Sequence, residues 1–233
     1  KKEKSTSVSR KISSLKSFYK FLYKNDYIDK KDYPLVKVTY PKKEKKLPKF
    51  LYYNDLLEII NESSKDKDGI RDRLIIEMLY ATGVRVSELI NIKLSDIDFN
   101  NKRIIVCGKG NKERIVYYGD YAEEVLLKYL KTHIRKDNNY LFLNSKGEQI
   151  TDGGIRYIID NIMKKLSIKV HVTPHVLRHT FATDMLNNGC DIKVVQELLG
   201  HSSLKATEIY THVTNEHLKE VYYKCFPRRD KDE

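Results

Sequence analysis

His175-Val176-Leu177-Arg178 sets an imidazole and a guanidinium three residues apart, on one face of any helix that holds them. Thr173 reads as an N-cap with Pro174 at the first helical position, so His175 falls in the first turn. Free amide N–H groups and the positive end of the helix dipole favour an anion there. A His and an Arg beside such an end make a phosphate site, against the plain alternative of two surface side chains. A second group surrounds a glycine stop: Leu198-Leu199-Gly200-His201-Ser202, with Tyr210-Thr211-His212 nine residues on. A helix that ends at Gly200 presents His201 directly after it. Tyr210 alone is one of 17 tyrosines and carries no special weight. In a third group, Arg85 follows Gly83, and Glu88 lies where its carboxylate can orient the guanidinium. The fourth is Lys109 in the glycine-flanked stretch Gly108-Lys109-Gly110-Asn111-Lys112, where a solvated loop lysine is the plain alternative.

The elements that position these groups follow from periodicity and punctuation. Residues 54–82 predict two helices. The first is capped by Asn54 and carries Leu56, Leu57, Ile59 and Ile60; the second carries Ile70, Leu74, Ile75, Met78 and Leu79 and stops at Gly83. A short helix holds Ser87-Glu88-Leu89-Ile90. The β-rich runs 103–107 and 114–118 predict a hairpin with Lys109 at its basic tip. Helices are expected at about 120–134 and 153–166, with an extended piece at Tyr140–Leu143 between them. Further helices follow from Pro174 to a stop at Gly189, from Ile192 to Leu199, at about 204–213 and at about 216–225. This is a mainly α chain with a small β-hairpin or sheet, an α+β fold.

The net charge is +12, and residues 1–49 hold 16 Lys/Arg against 5 Asp/Glu. The remaining residues are near neutral. A basic arm on a neutral body suits a polyanion such as DNA, against the alternative of a solvated tail. Residues 5–24 predict an amphipathic helix through Val8, Ile12, Leu15, Phe18, Tyr19 and Leu22. The charged stretch bracketed by Pro41 and Pro48 reads as a linker, giving a helical segment 1–40, a basic linker 41–49 and a main domain 50–233. The chain begins at a lysine and is expected to be trimmed at its N-terminus. Cys107, Cys190 and Cys225 form no CxxC pair, which disfavours a cysteine zinc site and agrees with a reducing cytoplasm. No run reaches the length of a membrane span and no signal peptide is visible, so no membrane association is expected.

Taken together, Ala81-Thr82-Gly83-Val84-Arg85-Val86-Ser87-Glu88-Leu89, Gly108 to Arg114, Thr173 to Thr183, Leu198 to Ser202 and Tyr210 to His212 resemble the tyrosine recombinase (phage integrase) family, with Xer-like strings. Five motifs in the family's order make the resemblance specific over about residues 50–225. It implies a catalytic set of Arg85, Lys109, His175, Arg178, His201 and the nucleophile Tyr210, with Glu88 in support and Lys112 competing with Lys109. It also implies strand exchange through a 3′-phosphotyrosyl intermediate and a Holliday junction, without metal, ATP or other cofactor. A segment after the tyrosine is expected to dock on a neighbour. This gives helix 216–225, with its stripe Leu218, Val221, Tyr222 and Cys225, an oligomerisation role in a homo- or hetero-tetramer on duplex recombination sites, the free chain being monomeric, against the plain alternative that the helix packs on its own domain. The segment before residue 40 is shorter than the family's DNA-clamping domain and is expected to be a partial one. Type IB topoisomerase-like relaxation, or catalytically silent DNA binding, are the alternative functions.

Overall fold

The computed structural model describes residues 3, 5–42, 50–65, 68–108, 110–132, 138–168, 170–200 and 214–230. The chain divides into two compact units, Lys1–Pro48 and Lys49–Glu233. In the first, helix α1 (Ser5–Lys24) spans the range its spacing predicts. Val8, Ile12, Tyr19 and Leu22 are half-buried, while Leu15 and Phe18 are exposed. Tyr33 closes onto α1, ring against Tyr19 and hydroxyl toward the Lys16 carbonyl. Most of the expected linker, 43–49, lies outside the described residues.

The second unit is mainly helical with one small sheet. Helix α2 (Tyr53–Ser63) leads into α3 (Gly69–Thr82), which is buried on nearly every side. Leu74, Ile75, Ile76, Met78, Leu79 and Tyr80 are all fully buried, because α3 packs against α2, α5 (Asp120–Thr132) and α7 (Pro174–Asn187). Asn54 is not the cap of α2. The Leu51 amide is tied to Thr180 Oγ1 at 3.0 Å and the Leu56 amide bonds to the Tyr52 carbonyl, so the helix begins at Tyr53. Gly83 ends α3 in the left-handed region at φ 59°, where a Cβ would lie 2.5 Å from Phe181 and 2.9 Å from Leu199. The chain turns there into α4 (Val86–Leu89).

Strands β1 (Ile97–Asp98), β2 (Arg103–Cys107) and β3 (Glu113–Tyr117) form an antiparallel sheet in that order. Ile104 pairs with Val116 and Val106 with Arg114, so these four residues share one face. The extended piece at 140–143 is reduced to isolated bridges, Tyr140 with Lys93 and Leu143 with Gln149. Helix α6 (Asp152–Lys165) is capped by Thr151, whose hydroxyl accepts from the Gly154 amide. Thr173 caps α7 as its sequence predicts, accepting from the Val176 amide, and α8 (Ile192–Leu199) ends on Gly200 at φ 64°. The segment expected at 204–213 lies outside the described residues.

Helix α9 (Asn215–Cys225) places its stripe on its own domain, the packing that was the plain alternative to docking on a neighbour. Leu218, Tyr222 and Cys225 are buried within the chain's own unit, against α7, α8 and β3. The Tyr222 ring packs on Phe181, Tyr117 and Phe226, and its hydroxyl donates to the Ala81 carbonyl at 3.1 Å. Beyond α9, Arg228 forks onto Glu77 of α3 at 2.5 and 3.2 Å. Glu77 is almost fully buried, and without this segment it would keep only a long 3.9 Å ion pair to Arg73. Truncation after Thr214 is therefore expected to unfold the chain. Losing Tyr222 and Phe226 from the core costs about 3–5 kcal/mol each, comparable with a domain's whole stability. A truncated chain with an unchanged circular-dichroism melt would show that α9 is dispensable to its own domain.

Candidate active site

The site is built where three chain breaks meet: the turn after α3, the hairpin of β2 and β3, and the C-terminus of α8. Arg85 precedes the first residue of α4, with Glu88 three residues on. Glu88 Oε2 accepts from the Arg85 amide at 2.7 Å and Oε1 from Arg85 Nη1 at 2.7 Å. The carboxylate thus caps its own helix and aims the guanidinium at once. Its side chain is 2% exposed, whereas that of Arg85 is 41% exposed, so Arg85 keeps an open face.

A residue that the sequence reading passed over completes the arrangement. Arg114 Nη1 and Nη2 donate to Glu88 Oε1 and Oε2, each at 2.9 Å. Its partner lies 26 residues away, so no helix-spacing rule points to it. The available signal was strand alternation: Arg114 shares a face with Val116, and an arginine on the buried face of a strand requires a carboxylate or carbonyl. Burial raises the Glu88 pKa, but the hydrogen bonds from Arg114, from the Arg85 amide and from the Arg85 guanidinium outweigh it. The carboxyl is held below its usual range.

Arg178 sits in α7 one turn after His175, almost fully buried. Its Nη1 donates to the Gly83 carbonyl and its Nη2 to the Leu199 carbonyl at 2.7 Å. Burial first, and then the neighbouring charges of Arg85 and Arg114 against the opposing pull of Glu88, bring its pKa down to about 10. It is still charged at neutral pH. Three successive carbonyls at the end of α8 each meet a different arginine: Leu198 meets Arg114 Nε at 3.2 Å, Leu199 meets Arg178, and Gly200 meets Arg85 Nη2 at 3.5 Å. These are the unpaired acceptors at a helix's negative end, where cations are stabilised.

Arg85, Glu88 and Arg178 are therefore brought together, with Arg114 added. His175 is exposed in the first turn of α7, one turn from Arg178 on the same helix. Lys109, His201 and Tyr210 lie outside the described residues. The residues before two of them are at the cluster. A Cβ on Gly108 would lie 3.3 Å from Glu88 Oε1, and one on Gly200 would lie 2.8 Å from Arg114 Cδ. Lys112 is exposed, its carbonyl accepting from the Gly108 amide to close the hairpin.

Three guanidiniums around one carboxylate leave a surplus of positive charge, fixed in direction, with one arginine open to solvent. This constellation can hold an oxyanion with little reorganisation. The profile of the phage integrase family matches residues 49–217, a span that contains every group described above. The chain belongs to the phage integrase family. It is a tyrosine site-specific recombinase. The recombinase is 47% identical over 231 residues to the tyrosine recombinase XerC of Listeria innocua, covering 96% of this chain and 76% of that protein. Among solved structures it is similar to XerA recombinase, with a TM-score of 0.63 and 34% identity over 93% of this chain and 84% of that one. It is also similar to XerH recombinase bound to its difH substrate before cleavage, with a TM-score of 0.60 and 30% identity over 79% of this chain and 56% of that one. No described helix of the recombinase is long and apolar enough to cross a membrane.

Proposed function

We propose that this chain cleaves and rejoins duplex DNA at a specific site through a 3′-phosphotyrosyl intermediate and a Holliday junction, without metal or ATP. The observation that carries the reading is the cluster of Arg85, Arg178 and Arg114 around the buried Glu88, a preformed oxyanion site. The Tyr210 oxygen attacks the scissile phosphorus while His175 takes its proton. Arg85 and Arg178 hold the non-bridging oxygens as charge builds on them, and His201 donates a further hydrogen bond. The bond to the 5′-oxygen breaks and Lys109 supplies the proton to that leaving group. The ester conserves the energy of the broken bond, so a new 5′-hydroxyl can reverse the reaction on a different strand.

The similarity to XerC, and to XerH solved on its difH substrate, favours recombination over topoisomerase-like relaxation. The same chemistry serves chromosome-dimer resolution or the integration and excision of a mobile element. The basic arm supports DNA binding by phosphate neutralisation, since residues 1–49 hold 16 Lys/Arg against 5 Asp/Glu. The working assembly is a homo- or hetero-tetramer on paired sites, formed in the cytoplasm from monomers.

The test is to incubate the chain with a library of nicked duplexes and separate the products under denaturing conditions. A protein–DNA adduct with a released 5′-hydroxyl strand is expected, and sequencing the trapped DNA reads out the site. Binding without any adduct would establish the silent DNA-binding alternative.

Lys109→Ala separates the steps. Loss of a general acid is expected to slow cleavage about 100-fold or more on an ordinary substrate. A 5′-bridging phosphorothiolate, whose sulfur departs without protonation, is expected to restore the rate. If the rescue follows Lys112→Ala instead, Lys112 is the acid and Lys109 is a loop lysine.

A further inference from the structure

Arg114 is the one member of the arginine cluster to which the proposed chemistry assigns no task. It is also the most thoroughly fixed. Its fork spans both oxygens of Glu88, its Nε is tied to the Leu198 carbonyl, and its side chain lies against Gly200, where a Cβ would come within 2.8 Å of its Cδ. Glu88 in turn is saturated. Oε1 accepts from Arg85 Nη1 and Arg114 Nη1, and Oε2 accepts from the Arg85 amide and Arg114 Nη2. A carboxylate has about four acceptor positions, and all are filled. It therefore cannot rotate, and the direction in which it holds Arg85 is set by the fork on its other side.

Arg85 makes the opposite set of contacts. Its guanidinium reaches Glu88 through Nη1 alone and Gly200 through a long 3.5 Å contact, and 41% of its side chain is exposed. Without the fork, the Arg85 amide alone would hold the other oxygen of Glu88, and a carboxylate able to pivot on that one bond would leave the guanidinium poorly aimed. We propose that Arg114 is a positioning residue for the recombination reaction: through Glu88 it fixes the orientation in which Arg85 meets the scissile phosphate. This rests on the assignment of Arg85 to that phosphate. A lysine at position 114 would preserve the charge beside Glu88 but not the fork, because an ammonium is a point donor and cannot span both oxygens while also reaching Leu198. Charge neutralisation and positioning thus predict different outcomes for the same substitution.

The experiment compares wild type, Arg114→Lys, Arg85→Lys and the double variant, as full chains on one nicked duplex. It measures thermal melting, DNA dissociation constants and single-turnover cleavage at saturating DNA. Arg114→Lys is expected to fold, to bind DNA within about threefold of wild type, and to cleave about 10–100-fold more slowly, the pattern of an interaction made in the transition state. With Arg85 already replaced, the same substitution is expected to cost less than about threefold, because residues that act through one another are not additive. Wild-type cleavage by Arg114→Lys would reduce Arg114 to a counter-charge. An equal loss in both backgrounds would reduce it to a structural residue independent of Arg85. Either result overturns the inference. Should Arg85→Lys alone cleave normally, the phosphate assignment itself fails, and that outcome is distinct from the other two. If Arg114→Lys does not fold, the paired Glu88→Met, Arg114→Met chain, which removes both buried charges together, takes its place in the same series with the same expected slowing and the same loss of effect once Arg85 is replaced.

Discussion

Tyr210→Phe is expected to give no denaturant-resistant protein–DNA adduct while binding DNA within about threefold of wild type, since phosphate contacts by basic residues dominate affinity. The substitution removes one oxygen and keeps the ring. Loss of a nucleophile costs on the order of 10⁶ in rate, beyond the reach of a denaturing gel. A phenol's ordinary pKa is near 10, so the nucleophile must be one that a base can reach. Tyr117, Tyr118, Tyr222 and Tyr223 are poorly placed for this. Burial raises the pKa of Tyr117, Tyr118 and Tyr222 and pushes Tyr223 up to about 12. Three of them also spend their hydroxyls on backbone carbonyls: Tyr117 on Asn215, Tyr222 on Ala81 and Tyr223 on Tyr118. An adduct formed by the Phe variant would nevertheless remove Tyr210 from the mechanism.

Glu88→Gln is expected to cost stability and catalysis together. The variant keeps the shape of the side chain but leaves Arg85, Arg114 and Arg178 with no counter-charge in a site where Glu88 is 2% exposed. Removing one partner of a buried ion pair costs about 3–5 kcal/mol. For a chain of this size, 3 kcal/mol corresponds to a fall in Tm of roughly 10 °C. Acid supplies a second readout. Because the folded Glu88 pKa is depressed, its stabilisation is fully present above the unfolded carboxyl pKa and is lost as pH falls through the lower folded value. The stability gap between wild type and Glu88→Gln, from urea unfolding, should therefore be constant near neutrality and shrink below the usual carboxylate range. A gap independent of pH down to the most acid conditions would mean that Glu88 is not the charged centre of the cluster.

Several elements were legible because their signals span only a few residues. Thr173 with Pro174 marked the start of α7, and Gly83 and Gly200 marked the ends of α3 and α8. Caps and left-handed stops depend on local backbone geometry, so a short string suffices to place them. The start of α2 was displaced from Asn54 because a long-range tie, Leu51 to Thr180, decides where that chain enters its helix. Of the candidate site, the pairing of Arg85 with Glu88 was legible as a three-residue spacing. Lys109, His201 and Tyr210 rest on their motifs.

The sequence by itself determined that Leu218, Tyr222 and Cys225 form one apolar stripe, and that a chain with these five motifs carries a set of cationic groups suited to a phosphate. It did not determine what the stripe is buried against. Tertiary structure decided that, placing Tyr222 on Phe181 and Arg228 on Glu77. It likewise decided that Glu88 belongs to two arginines and that three arginines share the end of α8. Periodicity reports which residues must leave water, whereas the partner of a buried charge is set by which groups lose their water in the same place. For Glu88 and Arg114, 26 residues apart, that place exists only once the β2–β3 hairpin has folded against α4.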